Sequence, residues 1–143
     1  NIECTKRPMI MNLWGVWTFH GASVFEEKID YLCDLTQRAY QELKKEEDFE
    51  VLHHPEANML CFRYKPLQED HSRIADFQLK IRNQLKANGN FFISKVSLDG
   101  EIALRVVFMN HNTQLNHFKT LLEEIKVTGK TILQTSLKSA MTL

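Results

Sequence analysis

Residues 90–109 read Asn90-Phe-Phe-Ile-Ser-Lys-Val-Ser-Leu-Asp-Gly-Glu-Ile-Ala-Leu-Arg-Val-Val-Phe-Met109. Two β-rich runs, 90–97 and 101–109, flank Asp99-Gly100, a pair that favours the tight turn of a hairpin because both central residues of such a turn take positive φ. On the second run a period of two sends Ile102, Leu104, Val106 and Phe108 to one face and Ala103, Arg105, Val107 and Met109 to the other. Arg105 is therefore the lone charge in an apolar row. A guanidinium so placed snorkels to water, pairs with a carboxylate of its own chain, or takes the carboxylate or phosphate of a ligand, which its donor fork suits.

Working outward from the hairpin, Ile74, Phe77, Ile81 and Leu85 keep helical spacing between Asp70, a candidate cap, and the stop signal Asn88-Gly89. Before them, 49–53 (Phe-Glu-Val-Leu-His) and 58–64 (Asn-Met-Leu-Cys-Phe-Arg-Tyr) are β-rich, and the turn-forming His54-Pro-Glu-Ala-Asn58 between them predicts an antiparallel pair. Ser23-Val-Phe-Glu26 reads as a capping box opening a long helix, with Phe25, Ile29, Leu32, Cys33, Thr36, Tyr40 and Leu43 as its dry stripe. Residues 8–21 (PMIMNLWGVWTFHG) begin with a Pro suited to a first turn, end with a Gly suited to a stop, and are apolar almost all round. Such a helix needs enclosure on more than one side. After the hairpin, Asn112 or Thr113 can cap a last helix carrying Leu115, Phe118, Leu121, Leu122 and Ile125, with Gly129 as its end or weak point. The order α-α-β-β-α-β-β-α predicts an α+β fold: an antiparallel sheet of about four strands with helices packed on one face, in a single domain over 1–143.

The chain has 143 residues, of which 43% are hydrophobic and 25% charged, with only five Gly and three Pro. That composition belongs to a folded domain and excludes low-complexity or collagenous chains. Eighteen basic residues balance 18 acidic ones, so no global field favours nucleic acid or anionic lipid. No apolar run approaches the roughly 20 residues that span a bilayer, and no secretory leader pattern is present, which points to a cytoplasmic protein without a membrane partner. Cys4, Cys33 and Cys61 form an odd set without a C-x-x-C pair and read as reduced, buried thiols. Asn1 stands where an initiating Met would, so the chain is expected to be processed, trimmed or cut from something longer.

Other chemical candidates are weak. Adjacent His53 and His54 would point to opposite faces of a strand and fit no metal-ligand spacing; Cys33 at helical spacing reads as core, with no base beside it. The run 44–48 (Lys-Lys-Glu-Glu-Asp) is a solvated helix end of mixed sign, and the scattered glycines build no phosphate loop.

Ile2-Glu-Cys-Thr-Lys-Arg7 followed by Asn12-Leu-Trp14, then 58–64, then Leu98-Asp-Gly100 and Ala103-Leu-Arg-Val-Val-Phe-Met-Asn110 resemble, in order and spacing, the C-terminal small domain of pyridoxal-phosphate-dependent group II amino-acid decarboxylases. The resemblance runs from about residue 1 to 135 and includes the family's "L-R-x-x-x-x-N" pattern. It implies the small-domain architecture of fold type I, with residues 1–21 as the linking helix from a large domain upstream of Asn1. It also gives Arg105 a role: in glutamate-decarboxylase-like members an arginine at this strand position holds the substrate α-carboxylate. Lys6 and Arg7 match a basic pair common where the two domains meet. One feature departs from the family. Its Schiff-base lysine follows a histidine, whereas His20, His53, His54, His71, His111 and His117 are followed by Gly, His, Pro, Ser, Asn and Phe. The resemblance thus implies a lyase whose pyridoxal phosphate is held mainly by the missing domain, a homodimeric parent, an amino-acid substrate of unspecified side chain, and a 143-residue chain inactive by itself. The alternative is a stand-alone, non-catalytic binding domain that keeps the fold.

Overall fold

The computed structural model describes residues 9–66, 74–98 and 100–140. Its elements are α1 (Met9–His20), α2 (Ser23–Leu43), β1 (Phe49–Val51), β2 (Met59–Tyr64), α3 (Ile74–Asn88), β3 (Ser94–Leu98), β4 (Glu101–Val107) and α4 (Leu115–Ala140), in the predicted order. Cys4, Lys6, Arg7, Pro8, Asp70, His71 and Asp99 lie outside the described residues.

The four strands form one sheet in the order β1-β2-β4-β3, antiparallel at every pairing. Helix α3 carries the chain from β2 to the far edge, and the hairpin at Gly100, whose φ of +83° suits a residue without Cβ, brings β4 back beside β2. Leu60, Phe62 and Tyr64 of β2 and Leu104 of β4 face the core, where they meet Leu35 and Leu43 of α2, Phe77 and Ile81 of α3, and Phe118 and Ile125 of α4. Helices α2, α3 and α4 thus pack on one face of the sheet.

Several local expectations change. Ser23 does not cap α2: Ala22 is the N-cap, in helical conformation, without a side-chain cap bond. Gly21 (φ +75°) donates to Trp17 O at 2.8 Å and leaves Ala22 as the only residue between it and α2, so the extended backbone that a capping serine needs is not formed. Burial in α2 begins only at Leu35, leaving Ile29 exposed and Cys33 half-buried rather than buried. No residue of α1 is buried, so the enclosure its composition calls for is absent, apart from Trp17 stacked on Phe25 at 5.5 Å. Strand β3 starts at Ser94, four residues late, and β1 is three residues long.

Gly129 does not end α4, which runs on to Ala140. The glycine is required by packing: a Cβ there would overlap the Tyr64 ring, which is fully buried and cannot swing aside.

Candidate functional site

The site belongs to the sheet face opposite the core. Strand alternation places Arg105 there, and the register puts Cys61 of β2 directly across from it on one side and Ser94 of β3 on the other. Directly opposed residues of an antiparallel pair share a face with Cβ atoms about 5 Å apart. Arg105, Cys61 and Ser94 therefore form one row across three strands.

Arg63, two residues along β2 from Cys61, lies on the same face and has a partner at each of its three nitrogens. It meets Glu50 of β1 at 3.4 Å and Glu101 of β4 at 3.2 Å, while its Nε donates to the Ile102 carbonyl at 3.3 Å. Arg105 differs in just this respect. Its Nε is buried without a hydrogen-bond partner, and among the described residues no carboxylate pairs with it. Of the outcomes open to Arg105 from the sequence, a pair with a carboxylate of the described residues is not formed. A buried N–H of a charged group left unpaired costs more than a neutral one, and such orphans occur where a ligand or water completes the set.

Around this row the chemistry is otherwise quiet. Burial raises the Cys61 thiol above its ordinary value, the Arg105 charge pulling the other way, so Cys61 stays a neutral thiol at physiological pH. His53 Nε2 accepts the Cys61 backbone N–H at 3.1 Å and its Nδ1 faces the His54 carbonyl at 3.1 Å. This bonding assigns a neutral ring with its hydrogen on Nδ1 and gives His53 the task of closing the ladder where β1 ends. His54 is exposed, edge-on to Tyr40 at 5.0 Å. Among the described residues no three His, Cys, Asp or Glu side chains gather as metal ligands, and no helix is long and apolar enough to cross a membrane. An apolar cleft lined by Phe91, Phe108, Phe118 and Leu121 opens at the other end of β4 and does not include Arg105.

Two polar residues of this face escaped the sequence reading. The ion-paired role of Arg63 could have been found by applying to β2 the same period of two that singled out Arg105. Ser94 needed the register, which no local pattern supplies.

Residues 1–65 match the family described as the pyridoxal-dependent decarboxylase conserved domain. The chain is similar to an acidic amino acid decarboxylase from Bos taurus, 26% identical over 139 residues, which cover 91% of this chain and 27% of the relative. It is also similar to the cysteine sulfinic acid decarboxylase of Homo sapiens, 24% identical over 89% of this chain and 25% of the relative. Among solved structures, mouse CSAD in its apo form superposes with a TM-score of 0.80 at 24% identity, covering 90% of this chain and 29% of that one. Oryza sativa TDC with PLP and tryptamine superposes with a TM-score of 0.72 at 18% identity, covering 84% and 26%. These structures share the fold. The chain spans about a quarter of the length of the curated relatives it matches. In sequence and in fold, the chain matches a fragment of the pyridoxal-phosphate-dependent group II decarboxylases.

Proposed function

We propose that this chain is the C-terminal small domain of a pyridoxal-phosphate-dependent amino-acid decarboxylase and that Arg105 binds the α-carboxylate of the substrate. One observation carries the assignment: of the two described arginines on this sheet face, Arg63 is ion-paired with Glu50 and Glu101, whereas Arg105 keeps a buried Nε with no partner. A carboxylate presents two acceptors to the guanidinium fork and satisfies that orphan directly. Fixing the carboxylate orients the bond from Cα to CO₂⁻, and such positioning is a large part of what a binding residue contributes to rate.

The residues of this chain do not fit the cofactor itself. No histidine is followed by lysine, and the only arginine beside Arg105 on the described face is already held by two carboxylates. The electron sink for CO₂ loss is the chemistry of pyridoxal phosphate, held by the parent's large domain. The part played by this chain is to bind and orient the substrate. The parent is a cytoplasmic homodimer, and α1, with no residue buried among its own elements, packs against the large domain.

The test is release of CO₂ from amino acids. The full-length parent supplied with pyridoxal phosphate releases it, and the 143-residue chain supplied with the same cofactor does not. Cofactor-independent release, or none from any amino acid by a folded parent that binds the cofactor, favours the stand-alone interaction domain instead.

A further inference from the structure

Ser94 is the register partner of Arg105 across the β3–β4 pair, so the two side chains leave the same face of the sheet side by side. Cys61 occupies the corresponding place on the β2 side, as a thiol that burial keeps protonated and that is at best a weak donor. Ser94 is half-buried at the first position of an edge strand, and among the described residues nothing accepts or donates a hydrogen bond at its hydroxyl. Two unspent donors therefore stand next to each other: the buried Arg105 Nε–H and the Ser94 hydroxyl. A charged fork flanked by a hydroxyl suits an anionic oxygen group with more than two lone pairs to fill, because the fork fixes the plane of the group and the hydroxyl takes a lone pair the fork leaves free.

We infer that Ser94 is a second binding residue of the Arg105 site, donating its hydroxyl hydrogen to the same carboxylate that Arg105 holds. The inference rests on the reading of Arg105 as the carboxylate ligand and adds the residue that completes the pair. The ligand is a small carboxylate rather than a phosphate, since the row offers one cation and one hydroxyl and no further described donor toward a third oxygen. Arg63, the other cation of this face, is spent on Glu50 and Glu101.

The experiment follows the Arg105 Nε–H resonance of the 143-residue chain by nuclear magnetic resonance, assigned by its loss in Arg105→Lys, during titration with acetate and separately with inorganic phosphate. Wild type gives a saturable shift with acetate. Ser94→Ala weakens acetate binding roughly five- to tenfold, the effect of one hydrogen bond to a charged group, and Ser94→Thr, which keeps the hydroxyl, restores it. The amide spectrum of each variant reports whether it is folded, and the threonine variant carries the test if the alanine variant is not. Acetate binding that is equal in wild type and Ser94→Ala overturns the role of Ser94 while leaving Arg105 in place. No saturable acetate shift at Arg105 in wild type overturns the carboxylate reading itself, and saturation by phosphate alone does the same. In the full-length parent, Ser94→Ala raises KM by the same factor with kcat within about twofold; a fall in kcat at constant KM contradicts a binding role.

Discussion

Gln78 is a fully buried amide that serves as a strand partner. From α3 it accepts the Tyr64 backbone N–H at 3.0 Å and donates to the Tyr64 carbonyl at 2.8 Å, pairing both main-chain groups at the end of β2, beyond the last β2–β4 register pair. Replacing Gln78 by Leu keeps the volume and strips two buried backbone groups of their partners, at about 1–3 kcal/mol each. Urea unfolding of Gln78→Leu should show a loss of about 2–4 kcal/mol; an unchanged midpoint would contradict this role. Part of this was legible in the sequence, because Gln78 shares the spacing of Ile74, Ile81 and Leu85 and so lies on the buried stripe of α3. Its partner was not, since the amide is matched to a strand end 14 residues earlier. Arg105 is the converse case: period two alone isolated it, but only the register and the ion pairs of Arg63 distinguish an occupied arginine from a vacant one.

At the scale of elements, helices and hairpins were readable because their signals are local: apolar spacing, Asn88-Gly89 and Gly100 mark α3 and the β3–β4 turn where the structure has them. Caps and close approaches were not. Ser23 has the right neighbours for a capping box but follows a glycine turn that leaves it inside the helix, and Gly129 is explained only by the Tyr64 ring lying against it. The contact between α2 and α4 carries a pH signature. Glu42 meets Lys119 of α4 at 2.8 Å and Lys45 at 2.6 Å, and these partners, Lys119 first, lower its carboxyl from 4.5 to about 2. A carboxyl depressed on folding stabilises the fold fully above its unfolded value and ceases to do so as pH falls through its folded value. The difference in stability between wild type and Glu42→Gln is therefore expected to be constant above pH 4.5 and to shrink toward zero as pH falls toward 2. Denaturant melts across that range check it, and a difference that persists at pH 2 would show that the ion pairs are not its source.

For the whole molecule, the core under the sheet is complete while α1 is not accommodated by it. Met9, Ile10, Trp14 and Phe19 are all exposed, at 63%, 67%, 60% and 86%. Contiguous apolar surface on this scale marks an interface. By itself the 143-residue chain should bind a hydrophobic dye and show a size that grows with concentration. The double variant Ile10→Glu/Trp14→Glu should suppress both while changing stability by no more than about 0.5 kcal/mol, because neither side chain is buried. A dye-silent, concentration-independent monomer would contradict an interface at α1. The sequence announced this helix through its all-round apolarity, but it could not show that the present chain leaves it uncovered.

The central claim, that Arg105 holds the substrate carboxylate, is tested most directly by a pair of ligands that differ only in that group. The full-length parent would be titrated with its amino-acid substrate and with the amine left after CO₂ is lost, in wild type and in Arg105→Ala. Loss of a charge-assisted bidentate contact should weaken amino-acid binding roughly a hundredfold, a change of about 3 kcal/mol, and leave amine binding as it was. Equal weakening of both ligands, or of neither, would contradict the claim.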